Sequence, residues 1–163
     1  MIYVASSWRN PFYDGVVAIL HAVQLPLYDF KHPQAGHAGF HWHAMDPAWE
    51  TWSAEAYRKA LADPRAAEGF TLDMDALKAC DTLVLVLPCG RSAHLELGYA
   101  IGAGKRTIIF SPPGVQMEPE LMDKAADYIV LSARDLLGVL GVQDEHAGMV
   151  TLSTLGIAEC LWP

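Results

Sequence analysis

The sequence predicts a single α/β domain built on a doubly wound, parallel, five-stranded sheet. Three observations lead to this prediction. Short runs of aliphatic and β-branched residues alternate with segments of helical periodicity along most of the chain. The run TLVLVLP is apolar at nearly every position, which is typical of a parallel strand buried on both faces. The 163 residues suffice for one filled core, and no linker or internal repeat divides them.

Each element of this flavodoxin-like or Rossmann-like arrangement has its own signal. The predicted strands are Ile2–Ala5 and residues 25–30, 83–87, 107–110 and 128–131. The predicted helices cover residues 13–24, 49–62, 66–80, 94–103 and 118–126, and a last helix runs from an N-cap at Ser132 to Leu140. Residues 31–47 contain four histidines and no clean period, so we expect a long loop there. In the helix 66–80, the spacing places Phe70, Met74 and Leu77 toward the core.

Composition limits the classes of partner. The formal net charge of −8, with no basic stripe, argues against a nucleic-acid polymer but permits a small nucleotide held by one arginine. Three cysteines, Cys80, Cys89 and Cys160, form no disulfide framework and suit a reducing compartment. The N-terminus has no basic region followed by an apolar core, and no apolar run approaches membrane-spanning length. We therefore expect a soluble, cytoplasmic protein with no membrane partner.

Two polar segments are the candidate ligand-binding loops. The glycine-rich phosphate-loop motifs are absent: in GAGKRT, Tyr99 stands where the first glycine should be and Arg106 follows the lysine. Polar residues instead follow the first and third strands, at positions 6–10 and 88–92. If those strands are neighbours, the two loops meet at the crevice where the strand order reverses. The alternative is that both are ordinary polar connections.

Glu96 is the strongest single candidate for a functional group. It is the only charged residue between Arg91 and Lys105, in an otherwise largely apolar helical segment. A helix that begins at residue 94 would place Glu96 in its first turn, where the helix dipole favours an ionised carboxylate. That position alone explains an acid at a helix start. The lack of polar neighbours favours a paired or chemically active carboxylate instead.

Asp73 is the better candidate for a second carboxylate. It follows Phe70 by three residues and precedes Leu77 by four, so a helix places it on the same inward face. Asp75 is expected at the surface, and Asp81 is expected to serve as a turn or cap residue.

The remaining polar and aromatic candidates have simpler interpretations. The histidines of the long loop are His32, His37, His41 and His43. No acid or cysteine cluster accompanies them at ligand spacing, so we predict no metal and no cofactor. A mobile loop that folds Phe40 and Trp42 over a substrate is favoured. Cys89 is interpreted as a small residue that permits close approach, and Trp49 and Trp52 as packing residues.

Several of these motifs occur together in a known family. The run D-x-L-V-L-V-L-P…ELGYA-x-G-x-GK, from Asp81 to Lys105, resembles the nucleoside 2-deoxyribosyltransferases and the related deoxynucleoside-monophosphate N-glycosidases. The opening IYVASSWR is similar to their first strand and sugar-site loop. The ELM segment at residues 120–122 is similar to one that reaches a neighbouring subunit's active site in the transferases. The resemblance covers most of residues 2–131.

The resemblance implies roles for particular residues. Glu96 falls on the nucleophile, Asp73 on the aspartate that assists at the base or sugar, and Tyr3 on the tyrosine beside the nucleophile. The implied substrate-binding residues, with Ser7 and Arg9 at a 5′-phosphate, are Ser7, Trp8, Arg9, Asn10, Gly90, Ser92 and Met122. Two positions depart from the family: Glu120 replaces an asparagine, and Gly90 replaces a phosphate-binding serine for which Ser92 is the candidate substitute.

The predicted activity is cleavage of an N-glycosidic bond through a glycosyl-glutamate intermediate, with the sugar passed to another base or to water. Transfer and hydrolysis stay open, and Arg9 favours a nucleoside 5′-monophosphate over a nucleoside. Two alternatives also stay open: a non-catalytic nucleotide-binding or sensor module, and an NAD-cleaving glycohydrolase of related architecture. The resemblance and the apolar content predict a homodimer or higher homo-oligomer, with the tail 141–163 and its Trp162 as a candidate interface segment.

Overall fold

Five parallel strands form one sheet in the computed structural model, which describes residues 1–116 and 118–142. The strands are β1 (Ile2–Ala5), β2 (Leu27–Asp29), β3 (Thr82–Val86), β4 (Arg106–Phe110) and β5 (Tyr128–Val130), in the spatial order β2-β1-β3-β4-β5. Every neighbouring pair is parallel. The predicted doubly wound fold class is confirmed. The proposed interface tail, residues 141–163, lies outside the described residues from position 143 onward.

The helices cover the two faces of the sheet. They are α1 (Tyr13–Ala22), α2 (Ala54–Ala60), α3 (Pro64–Ala79), α4 (Arg91–Gly102) and α5 (Ala133–Val139). Buried residues of α1 and α5 share one apolar cluster, and those of α3 and α4 share the cluster on the opposite face. The helices lie on both faces because the chain reverses its direction across the sheet. It passes from β1 to the edge strand β2, and the next crossover returns past β1 to β3. The order therefore reverses between β1 and β3, which places a crevice at their carboxyl ends.

Alternation along β1 divides its side chains between the two clusters. Ile2 and Val4 pack with α1 and α5, whereas Tyr3 and Ala5 pack with α3 and α4. Tyr3 is paired in register with Tyr28 of β2. Both tyrosines consequently face the side of the sheet that carries α3 and α4.

Two predicted helices are shorter than expected. The segment 49–62 is divided into a 3₁₀ helix, Trp49–Thr51, and α2, because Trp52 and Ser53 are extended and the Ser53 hydroxyl accepts the Ala56 amide of α2. The segment 118–126 contains only a 3₁₀ helix, Leu121–Ala125. The Glu120 backbone is extended and forms the N-cap, so helical structure begins only at Leu121.

The start of α4 and the inward face of α3 also differ from prediction. Gly90 is extended and caps α4, so the helix begins at Arg91 and Glu96 lies in its second turn, beyond the strongest influence of the helix dipole. In α3, Leu77 is buried but Phe70 is 66% exposed. Gly69 occupies the inward position instead, since a Cβ there would lie 2.5 Å from the Cβ of Phe40. The neighbouring Phe70 is thereby turned outward.

No helix within residues 1–116 and 118–142 combines the length and the apolar character needed to cross a membrane.

Candidate active site

Side-chain hydrogen bonds join the loops that follow β1 and β3. The Ser6 hydroxyl donates to the carbonyl of Val86 at 2.8 Å, and the Asn10 amide nitrogen donates to the same carbonyl at 3.0 Å and to Ser6 Oγ at 2.8 Å. Asn10 Oδ1 accepts the Phe12 amide at 2.7 Å. Asn10, predicted to bind substrate, is buried and fully engaged in this network, so it positions the loop. The predicted meeting of the two loops is confirmed by the pairing of β1 with β3.

A cleft of about 840 Å³ opens where these loops meet. Its floor contains Asp73 and Glu96, and its walls contain five of the seven predicted substrate-binding residues. Those five are Ser7, Trp8, Arg9, Gly90 and Ser92. The residues that line the cleft without having been predicted to bind substrate include Arg91, His41, His43, Trp49 and Glu50.

Glu96 is held by a tyrosine rather than by a cation. Its carboxylate accepts a hydrogen bond from the Tyr3 hydroxyl, whose own pKa is raised by burial so that it remains a donor. Burial, and then the negative charge of Asp73, raise the pKa of Glu96 to about 8, and the Tyr3 hydrogen bond offsets only part of this increase. The expectation that the helix dipole keeps Glu96 ionised is therefore wrong for the unliganded protein at neutral pH.

Asp73 is held by a second tyrosine. The Tyr28 hydroxyl donates to Asp73 Oδ1 at 2.8 Å, and the rings of Tyr3 and Tyr28 stack with their centroids 5.2 Å apart. Burial raises the pKa of Asp73, although the Tyr28 hydrogen bond and the charge of His37 act in the opposite direction. Tyr28 was not predicted as a site residue. The sequence could have indicated its role, because Tyr28 lies beside Tyr3 on the adjacent parallel strand, and paired residues of such strands share one face of the sheet.

The two carboxyl groups form one titrating unit. Because both carboxyl groups are partly buried and the charge of Asp73 disfavours ionisation of Glu96, the pair retains a proton at neutral pH. One carboxylate and one carboxylic acid in a single cleft can act as a nucleophile and a proton donor. The floor of the cleft can therefore support nucleophilic attack together with proton donation.

Residues 31–53, which we call the lid, cover the cleft with aromatic side chains. The Trp8 indole donates to the carbonyl of Phe40 at 2.9 Å, which ties the lid to the loop after β1. Phe40 also packs edge-to-face on Trp42, with ring centroids 4.7 Å apart. Phe40 can approach α3 because Gly69 has no side chain. Trp49, interpreted from sequence as a packing residue, lines the cleft as well.

The lid histidines do not assemble a metal site in the part of the chain that the structure describes, where no three His, Cys, Asp or Glu residues could hold a metal ion together. His41 and His43 line the cleft instead. His32 contacts Asp29 at 2.8 Å outside it.

Charged groups stand at the mouth of the cleft. Arg9 Nη1 lies 3.4 Å from Glu50 Oε1, and the two side chains are 79% and 64% exposed. The Arg9 amide donates to Ser7 Oγ at 3.2 Å. Met122, the remaining predicted substrate contact, is not among the residues that line the cleft and is 75% exposed on its own chain.

Cys89 lies beside the cleft without the character of a nucleophile. Its Sγ is 3.5 Å from His94 Nδ1. Burial, followed by the charges of Glu96 and Asp123, raises the pKa of Cys89 to about 12. The thiol is therefore neutral at physiological pH, when only the thiolate would attack.

The fold and cleft together define a class: doubly wound α/β proteins with partly buried carboxyl groups where the strand order reverses. No protein-family model matches the sequence, and no curated protein matches it. Among solved structures, the chain is similar to the 2-deoxyribosyltransferase of the psychrotolerant bacterium Bacillus psychrosaccharolyticus, with a TM-score of 0.57 and 18% identity. The match covers 83% of this chain and 88% of that chain. At this identity the similarity establishes a shared fold, in agreement with the fold that the sequence resemblance implied.

Proposed function

We propose that the protein cleaves the N-glycosidic bond of a nucleoside or nucleoside 5′-monophosphate, with Glu96 as the nucleophile. The observation that carries this proposal is the placement of Glu96 and Asp73 in one cleft, at the carboxyl ends of β1 and β3, with the buried Tyr3 as a hydrogen-bond donor to Glu96. The fold neighbour is named a 2-deoxyribosyltransferase and is described as a biocatalyst for nucleoside synthesis, which supports the substrate class.

In the first step, the Glu96 carboxylate attacks C1′ of the sugar. The electron pair of the C1′–N bond passes to the departing base, which takes a proton from the carboxyl group of Asp73. The product is a glycosyl ester on Glu96. The Tyr3 hydroxyl positions the carboxylate through its hydrogen bond. In the reactive form, the proton that the pair holds at neutral pH is on Asp73. This is the proton that Asp73 donates to the departing base.

In the second step, an acceptor attacks C1′ and releases Glu96 as a carboxylate. The acceptor is a second base or water, and its proton passes to Asp73, which restores the starting state. Two successive inversions at C1′ give overall retention. Trp8 and the lid aromatics Phe40 and Trp42 are suited to stack on a base, and Ser7, Arg9, Gly90 and Ser92 to surround a 5′-phosphate.

We also propose that the enzyme is a cytoplasmic homodimer. Leu121 and Met122 are 84% and 75% exposed, and Leu95 on α4 is 75% exposed. Apolar side chains of this size are commonly covered by a partner. In the proposed dimer, residues 120–122 approach the cleft of the second copy. Sedimentation of the wild type and of a Leu121→Glu, Met122→Lys variant tests this arrangement, since the substitutions should convert a dimer into a monomer.

The activity is tested by incubating the protein with nucleosides, 2′-deoxynucleoside 5′-monophosphates and NAD and measuring the free base released. Base release should occur in the wild type, be lost in Glu96→Gln, and persist in Glu55→Gln, which removes an equal charge from the exposed first turn of α2. Addition of a second base distinguishes transfer from hydrolysis. Undiminished release by Glu96→Gln would overturn the proposal. Binding without release would indicate a sensor module, and nicotinamide release from NAD a glycohydrolase.

A further inference from the structure

A tyrosine of the edge strand β2 contacts the floor of the cleft from beneath. Tyr28 is only 8% exposed, and its hydroxyl donates to Asp73 Oδ1 at 2.8 Å. Asp73 lines the cleft, whereas Tyr28 is not among the residues that line it. Tyr28 therefore reaches the carboxyl group of Asp73 from inside the protein, and the side of that group that faces the cleft stays open to a ligand.

This hydrogen bond makes the two oxygens of Asp73 different. Oδ1 accepts the Tyr28 hydroxyl, and no group among the described residues donates to Oδ2. Burial raises the pKa of Tyr28, so its hydroxyl keeps its hydrogen and Oδ1 stays an acceptor. When Asp73 is protonated, its acidic hydrogen is consequently on Oδ2, the oxygen that is available to the cleft.

Stacking against a second tyrosine fixes the place of the Tyr28 hydroxyl. Tyr28 and Tyr3 are paired in register on adjacent strands, and their ring planes are inclined by only 21° with centroids 5.2 Å apart. Each hydroxyl donates to one carboxyl group of the cleft. Tyr3 donates to Glu96, and Tyr28 donates to Asp73. Because both rings are buried against each other, each hydroxyl holds its carboxyl group in one orientation.

We propose that Tyr28 is a positioning residue for proton donation: it binds Oδ1 of Asp73, directs the acidic hydrogen on Oδ2 toward the departing base, and stabilises the carboxylate that remains. The proposal deepens the proposed function and rests on it for the role of Asp73 as the acid. As the C1′–N bond breaks, its electron pair passes to the base, and a base nitrogen takes the proton from Oδ2. Asp73 is left as a carboxylate, so the Tyr28 hydrogen bond becomes charge-assisted and strengthens. A contact that strengthens during the reaction accelerates it.

The test compares two leaving groups that differ in their need for a proton. The probes are 2′-deoxyguanosine 5′-monophosphate and its N7-methyl derivative, whose base already carries a positive charge and departs as a neutral molecule. Tyr28→Phe keeps the stacked ring and should lower the single-turnover rate of guanine release by about ten- to hundred-fold, as expected for a lost hydrogen bond to a charged group. Release of the methylated base should fall by less than about three-fold, because no proton is needed. Tyr13→Phe, which removes the same hydroxyl from Asp29 on the other face, should change neither rate.

A double-mutant cycle tests whether Tyr28 acts through Asp73. In Asp73→Asn no acidic hydrogen is left to direct, so adding Tyr28→Phe should lower guanine release by less than about three-fold further. Circular dichroism checks that each variant is folded. A folded Tyr28→Phe variant that loses the same factor with both probes, or the same factor with and without Asp73, would overturn the proposal. Failure of the proposed function has a different signature, because the wild type would then release no base from either probe.

Discussion

The two faces of the sheet contain the same chemical pair in opposite electrostatic states. On the face of α1 and α5, the Tyr13 hydroxyl donates to Asp29 Oδ1 at 2.7 Å. On the face of α3 and α4, the Tyr28 hydroxyl donates to Asp73 Oδ1 at 2.8 Å. The pKa of Asp29 is lowered, whereas that of Asp73 is raised. A tyrosine contact alone therefore does not determine how a buried carboxyl group titrates.

The difference lies in the other neighbours. Burial would raise the pKa of Asp29, but donors from Tyr13, His32 and the Lys31 amide together hold it below its ordinary value. Burial also raises the pKa of Asp73 and of Glu96. Asp73 has only one tyrosine donor and the charge of His37 to offset it, and Glu96 has one tyrosine donor, with the charge of Asp73 acting against it. One face thus contains a structural carboxylate, and the other a pair that retains a proton for chemistry.

The largest expected contrast is between Asp73→Asn and Asp29→Asn. If Asp73 donates the proton to the departing base, Asp73→Asn should lower kcat for base release by about 10²- to 10⁴-fold, the usual contribution of general acid catalysis. Asp29→Asn should leave kcat within a few fold, because Asp29 does not line the cleft that contains Glu96. Steady-state kinetics on both variants, with folding checked by circular dichroism, measures the contrast. Equal losses of kcat in the two variants would contradict the assignment of different roles to Asp73 and Asp29.

The pH dependence of kcat/KM should reveal the shared proton. The reactive state has one proton on the Asp73–Glu96 pair, so the profile should be bell-shaped, with an alkaline limb near the pKa of about 8. Above that limb, kcat/KM should fall about ten-fold per pH unit. In Asp73→Asn no acid remains at position 73 to be deprotonated, and only burial still raises the pKa of Glu96, so the residual rate should rise with pH to a plateau as Glu96 ionises. An alkaline limb retained in Asp73→Asn would contradict the assignment.

Substitution of Glu96 should stabilise the fold at neutral and alkaline pH. Because its pKa rises from 4.5 unfolded to about 8 folded, the native state binds the extra proton between these values, and stability falls as pH increases through them. Glu96→Gln, which keeps an acceptor for Tyr3, should raise the free energy of unfolding by about 2 kcal/mol at pH 8 and by much less at pH 4. Urea unfolding at the two pH values measures this difference. A loss of stability at pH 8 would mean that the ionised carboxylate is a structural group.

Asp29 should show the reverse dependence with a smaller effect. Its pKa lies below 3.8 in the folded protein, so its stabilisation is present above 3.8 and is lost as pH falls through the folded value. Asp29→Asn should cost about 1–2 kcal/mol at pH 7, as expected for weakened hydrogen bonds to a charged group. The gap between wild type and variant should narrow below pH 4. A gap that is constant with pH would assign the loss to packing alone.

Much of the fold could be predicted from local sequence. The apolar runs located all five strands to within two residues at each end. In the central strands β1, β3 and β4 the reason is burial on both faces, which requires nearly continuous apolar residues. The position of Asp73 inside the cleft also followed from helical spacing relative to Leu77. The same spacing failed at Phe70, because the inward position of that turn is used by Gly69 to admit Phe40 from the lid.

The site was less predictable where it depends on contacts distant in sequence. Because α4 begins at Arg91, after the N-cap Gly90, Glu96 lies beyond the first turn of the helix. Its pKa is consequently governed by burial and by the charge of Asp73 rather than by the helix dipole. The Trp8–Phe40 bond and the Arg9–Glu50 pair join segments more than thirty residues apart. No local pattern specifies such pairs, although both lie among residues whose composition already indicated a functional loop.

The central claim is that Glu96 becomes covalently attached to the sugar. The most direct measurement is mass spectrometry of the protein after a single turnover with a cleavable nucleotide, quenched in acid and digested. If Glu96 is the nucleophile, the peptide that contains residue 96 should carry the added mass of the sugar or sugar phosphate in wild type and not in Glu96→Gln. Base release without any such adduct, or an adduct on another residue, would contradict it.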